Sequence, residues 1–183
     1  MSGVEGGRQV RVALIGSGRM GSFHAGSLTH RIPGVQLVAV ADPAPGAAER
    51  MAATFGAVSA YTDAAEVFAD PRVDAVVIAA PARFHTDLIV AAAEAGKAVF
   101  CEKPGALTSS DLDRALAAVQ ASGVLLQIGF NRRFAPDNET LIHDFDTPSA
   151  SSIRAREPSR CSRSPMPWWN RSGETAVCST PPW

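Results

Sequence analysis

Signals of secretion, membrane insertion and nucleic-acid binding are all missing. The three cysteines, Cys101, Cys161 and Cys178, form no CxxC pair and no even set. That argues against a disulfide framework and a structural zinc site, and it fits a reducing cytoplasm. Neither charge dominates: 17 basic and 18 acidic side chains leave a net −1. Nothing electrostatic therefore recommends nucleic acid or an anionic membrane as a partner. No apolar run approaches the roughly 20 residues that span a bilayer. Residues 1–8 hold no apolar segment of the signal-peptide kind and are expected to be disordered. What is present in quantity is apolar: 46% of the 183 residues are hydrophobic and 19% charged. Such a chain builds one core, with a fragment to spare.

The fragment is the tail. Residues 147–183 contain eight Ser, six Pro, five Arg and all three Trp, but no Leu and no Phe. With Glu157 and Glu174 the only acids there, the tail carries +3 and the rest −4. This composition offers little to bury. The tail is either a functional disordered segment or a stretch where the coding frame or the chain is broken near 148–163. The paired Trp168 and Trp169 favour the second, because solvated linkers are poor in aromatics.

Residues 9–134 alternate between strand and helix patterns. Val10–Ile15 is an apolar run of strand length, followed by a glycine-rich turn and a helix over 20–29. Val35–Ala41 is a second strand; Pro43 and Pro45 precede a helix over Ala47–Phe55 that Gly56 stops. A short strand at Ser59–Tyr61 and a short helix at Ala64–Ala69 come next. Residues 74–80 are almost continuously apolar, as a strand covered on both faces should be. A helix over 85–95 ends at Gly96, and 98–101 is another strand. Thr108, Ser109 and Ser110 offer N-caps for a helix that Gly123 closes, and 124–128 is the last strand. That order predicts an α/β fold: a doubly wound, mostly parallel sheet with right-handed crossovers and helices on both faces.

Gly16-Ser17-Gly18-Arg19-Met20-Gly21 is a G-x-G-x-x-G motif between a strand and a helix. Gly16 permits the tight turn, Gly18 lets the backbone approach a pyrophosphate, and Gly21 lets the helix pack closely. The helix N-terminus then binds the phosphates. Asp42, 21 residues beyond Gly21 at the end of the second strand, can accept both ribose hydroxyls of an adenosine. It would repel a 2′-phosphate, and Pro43 and Ala44 follow it rather than an Arg, so NAD is favoured over NADP. The bland alternative is a glycine turn and a surface Asp; the agreement of context, spacing and partner speaks against it.

Beyond the fifth strand stands Cys101-Glu102-Lys103-Pro104. With the glycine motif, Ala41-Asp42-Pro43, Ala80-Pro81 before His85, residues 95–104, and Gly129-Phe130-Asn131-Arg132-Arg133-Phe134, it resembles the glucose–fructose oxidoreductase and inositol 2-dehydrogenase family. The last segment is most similar to the inositol dehydrogenase branch. The resemblance covers about residues 9–145. It implies a Rossmann domain that holds NAD(P), followed by an α+β domain that supplies most of the substrate site and the homo-oligomer contacts. It implies reversible oxidation of a hydroxyl of myo-inositol or a related sugar or polyol, with hydride passing to NAD.

The resemblance also implies roles. Gly16, Ser17, Gly18, Arg19, Met20, Gly21, Asp42, Ala79, Ala80, His85 and Glu102 match cofactor-side positions, with Glu102 near the nicotinamide ribose. Lys103 matches a catalytic lysine beside the reacting hydroxyl, where an ammonium stabilises charge developing on oxygen. Arg132 matches a substrate-contacting arginine able to donate forked hydrogen bonds. As ordinary residues, Lys103 would be a solvated surface group, Arg132 and Arg133 a surface pair, and His85 a cap or packing group at a helix start. Cys101 reads as core rather than nucleophile. No metal is expected.

The family's base is a His with an Asp four residues earlier, and here His143 follows Glu139 at that spacing. Either an internal deletion has brought the catalytic segment forward, or 135–146 is an ordinary linker helix and the match is coincidental. Residues 147–183 are then an irregular tail, a remnant or out-of-frame start of the substrate domain. Such a chain is expected to bind NAD with little turnover, or to be a non-catalytic dinucleotide-binding module.

Overall fold

The computed structural model describes residues 9–131. Six strands form one sheet: β1 (Val10–Ile15), β2 (Val35–Ala41), β3 (Ser59–Tyr61), β4 (Ala75–Ile78), β5 (Ala98–Glu102) and β6 (Leu126–Gly129). Every pairing is parallel, and the spatial order is β3-β2-β1-β4-β5-β6. The chain winds outward from β1 in one direction, then returns and winds outward from β4 in the other. A crevice therefore opens beyond the carboxyl ends of β1 and β4, the place where α/β sheets of this order take ligands.

The helices are α1 (Arg19–His30), α2 (Ala47–Phe55), α3 (Ala64–Ala69), α4 (His85–Glu94) and α5 (Ser109–Ser122). Strand side chains alternate between two cores. Val12, Leu14, Val40 and Val77 pack with Ala25 and Leu28 of α1 and Met51 of α2. Ala13, Ile15, Val76, Ile78 and Cys101 pack with Val67 of α3, Ile89 of α4 and Ala115 of α5. Helices thus cover both faces. One irregularity interrupts the alternation: Val12 pairs with Leu37 but Ala13 with Ala39, so Val38 is an extra residue and joins Ala39 in the second core.

Local chemistry explains the boundaries. Thr108 is the N-cap of α5, its hydroxyl accepting from Asp111 N at 3.1 Å. Gly123 ends that helix in the left-handed region at φ +70°. Asp63 caps α3 by accepting from Ala65 N. The strand expected over 74–80 stops at Ile78, and Ala79 and Ala80 turn across the end of β1. A 3-10 turn at Ala82–Phe84, absent from the sequence-based expectation, then leads into α4; Pro81 starts it by accepting from Phe84 N. The last strand starts at Leu126, two residues later than expected.

The chain's two lysines, Lys97 and Lys103, have opposite fates. Lys97 is buried, and its ammonium donates to Asp70 O at 2.9 Å and Val73 O at 2.8 Å. It holds the turn that feeds β4. Lys103 is exposed. No described helix is long and apolar enough to cross a membrane.

Candidate functional site

The turn after β1 is shaped by three glycines with different duties. Gly16 has φ +95°, and a Cβ there would lie 2.8 Å from the Ala79 carbonyl and 2.9 Å from Ala80 N. Gly16 N donates to Ala41 O and Ala79 N to Ile15 O, each at 2.8 Å, so the turn is sutured to β2 and β4. A Cβ at Gly21 would collide with the Gly16 carbonyl oxygen; glycine there lets α1 sit on the turn. Gly18 differs, because none of the described residues comes within 4 Å of where its Cβ would stand. The chain's own packing does not require glycine at 18. A glycine there leaves the backbone open to close approach by a group from outside. Gly18 is also the N-cap of α1 and supplies no side-chain cap, so the first-turn N–H groups stay available to an anion. Arg19 and Met20 are exposed beside them.

Asp42, just past β2, faces this turn. Its Oδ2 accepts from Ser17 N at 2.7 Å and Ser17 Oγ at 2.6 Å, and its Oδ1 accepts from Ala44 N at 2.9 Å. Burial alone would raise the Asp42 pKa. The hydrogen bonds from Ser17 and Ala44 outweigh it, Arg50 on α2 adds to them, and the net effect is a pKa below the ordinary carboxylate value. The group is an anion at neutral pH. A carboxylate offers about four acceptor positions, and three are already taken, so both ribose hydroxyls fit only if Ser17 Oγ turns away.

On the far side of the crevice, β5 ends in Glu102. Its Oε1 lies 2.8 Å from His24 Nε2, and its Oε2 accepts weakly from Lys103 N at 3.3 Å. Both side chains are well shielded, at 16% exposure for His24 and 14% for Glu102. The Lys103 side chain is exposed, with no partner for its ammonium among the described residues. The Lys103-Pro104 turn is anchored from beneath by His85, whose Nδ1 lies 2.6 Å from Pro104 O and Nε2 2.8 Å from Ala80 O. His85 was expected among the cofactor residues. Its ring is 1% exposed and both nitrogens lie against carbonyl oxygens, so it shapes the site through Ala80 and Pro104 and presents nothing to a ligand. Burial, aided by the Glu102 charge, pushes the Cys101 thiol up to about 12, and Cys101 stays a protonated core residue.

The structure thus brings Gly16, Ser17, Gly18, Gly21, Asp42, Ala79, Ala80, Glu102 and Lys103 to one rim of the sheet. Arg132 and His143 lie outside the described residues. Sequence reasoning missed His24, one of several polar residues on α1 and not set apart from them by any motif. Its partner stands 78 positions away, and no local pattern announces such a pair. The donors and acceptors suit a dinucleotide: bare amides for a pyrophosphate and a carboxylate on each side for ribose hydroxyls.

A family model described as "Oxidoreductase family, NAD-binding Rossmann fold" matches residues 10–130. The chain is 44% identical over 128 residues to a scyllo-inositol 2-dehydrogenase (NAD(+)) of Bacillus subtilis, covering 70% of this chain and 37% of that one. It is 45% identical over 127 residues to an inositol 2-dehydrogenase of Rhizobium meliloti, covering 69% and 38%. The crystal structure of scyllo-inositol dehydrogenase from Lactobacillus casei with NAD(H) and scyllo-inositol superposes with a TM-score of 0.71 at 27% identity, covering 75% and 41%. The chain spans well under half the length of these relatives.

Proposed function

The chain belongs to the oxidoreductase family with an NAD-binding Rossmann fold, and from that premise we propose that its crevice binds NAD in the service of polyol oxidation. The substrate class is inositol or a related cyclic polyol, the class named for its relatives. The observation that carries the cofactor assignment is the facing of Gly18 by Asp42 through Ser17: an amide surface without side chains beside a fixed anion. The first-turn N–H groups of α1 hold the pyrophosphate. Asp42 takes the adenosine ribose and disfavours a 2′-phosphate. Glu102, on the β4–β5 half, takes the second ribose.

When bound, the nicotinamide supplies a hydride acceptor. Lys103 supplies the adjacent charge. Its exposed ammonium at the end of β5 donates hydrogen bonds to the substrate hydroxyl oxygen and stabilises the negative charge that grows there as the hydroxyl proton passes to water. Arg132 holds further hydroxyls. Binding is tested by titrating the full chain with NADH and with NADPH. Saturable NADH binding, with NADPH weaker and the difference erased by Asp42→Ala, supports the assignment. Equal affinity in the wild-type chain overturns the NAD preference, and no binding overturns the site. Turnover with myo-inositol and scyllo-inositol is the second test. Loss of turnover in Lys103→Ala with NADH binding retained places Lys103 in the chemistry, whereas a chain that binds NADH and never turns over is a binding module.

A further inference from the structure

We propose that His24 is a positioning residue for the second nucleoside of the cofactor, acting through Glu102; this rests on the NAD site proposed above. The two carboxylates of the crevice stand on opposite sides of the glycine turn. Asp42 follows β2, and Glu102 ends β5, beyond β4. A dinucleotide that places one ribose at Asp42 and its pyrophosphate on the β1 turn carries its other ribose toward Glu102. Each carboxylate is aimed by a donor from the same short segment. Ser17 aims Asp42, and His24, seven residues later on α1, aims Glu102.

The His24 geometry suits that task. A carboxylate only accepts, so the proton sits on Nε2 of His24 and is donated to Glu102 Oε1 across 2.8 Å. Two edge-on aromatic contacts fix the ring: Phe100 of β5 at 5.4 Å between centroids and Phe23 at 5.9 Å. With Oε1 held by His24 and Oε2 by Lys103 N, Glu102 keeps unused lone pairs for ribose hydroxyls and loses its freedom to rotate. The pair is shielded from water, so the bond is stronger than a surface ion pair and is worth arranging for. It also ties α1, whose first turn would face the phosphates, to β5, the strand that leads into Lys103. Cofactor and substrate groups are thereby set in one frame.

The test compares NADH with ADP, which has the adenosine ribose and both phosphates but no second ribose. His24→Ala frees Glu102 to rotate and should weaken NADH binding about tenfold, roughly the cost of ordering one side chain on binding, and leave ADP affinity unchanged. His24→Gln retains a donor near the Nε2 position and should restore most of the loss. Glu102→Ala should show at least that loss, again with ADP affinity unchanged, and adding His24→Ala to it should add nothing. Equal weakening of NADH and ADP, no weakening of NADH, or additive losses in the double variant each overturn the assignment. So does failure of both His24 variants to fold, which makes the pair purely structural. If the wild-type chain binds ADP and NADH equally well, the second ribose has no site and the inference fails while the adenosine site stands. If it binds neither, the cofactor site itself is wrong.

Discussion

Ser17 gives both its backbone N–H and its hydroxyl to a single oxygen of Asp42, at 2.7 and 2.6 Å. The first variable position of the glycine motif thereby fixes the anion that the motif's ligand has to meet. It also occupies two of that oxygen's acceptor positions. Removing the hydroxyl leaves the amide to aim the carboxylate and frees one position for a ribose hydroxyl.

Ser17→Ala should therefore tighten NADH binding severalfold while costing about 1 kcal/mol of stability, the net worth of one hydrogen bond. A titration and a urea melt on the same protein read both effects. Weaker NADH binding would mean that the hydroxyl itself contacts the cofactor.

Gly18 and Gly21 should separate binding from folding. Gly18 has ordinary backbone angles, φ −69° and ψ −168°, and open space beside its Cα. Gly18→Ala should leave the melting temperature unchanged or slightly raised and weaken NADH binding at least tenfold, about 1.4 kcal/mol. Gly21→Ala sets a Cβ against the Gly16 carbonyl oxygen and should cost on the order of 2–3 kcal/mol of stability. If Gly18→Ala binds NADH like the wild type, the pyrophosphate does not cross the turn at that residue.

Acid stability should follow Asp70. Hydrogen bonds from the Arg72 side chain, against the cost of burial and with help from Arg72 N and Tyr61, hold its pKa at about 2. The folded value lies below the ordinary 3.8, so its contribution is present in full above about pH 4 and is lost as the pH falls toward 2. Asp70→Asn should lower the urea midpoint at pH 7, and the gap from wild type should close as the pH approaches 2. A gap that stays constant with pH would show that Asp70 acts by packing rather than by charge.

The two lysines mark where legibility ended. Both follow a Gly or a Glu close to the start or end of β5, and composition gives no ground for telling them apart. Lys97 is buried under carbonyls because the α3–β4 turn passes beneath it, and Lys103 is exposed because β5 ends at the open rim. His85 shows the same limit. Its neighbours Ala80 and Pro104 are 5 and 19 positions away, and only their convergence buries the ring.

The sequence by itself determined the elements and their order. Apolar runs of strand length, helices closed by Gly56 and Gly123, and a glycine turn between β1 and α1 are local properties, fixed by side-chain period and backbone sterics over a few residues. The family resemblance was equally local, carried by short segments such as Glu102-Lys103-Pro104. Only the tertiary structure decided which polar groups meet. Ser17 reaches Asp42 across 25 positions and His24 reaches Glu102 across 78, because the sheet reverses its order at β1 and β4 and brings β2 and β5 to opposite sides of one turn. Hydrogen bonds act over about 3 Å, so their partners are chosen by strand order and register, which no short window of sequence contains.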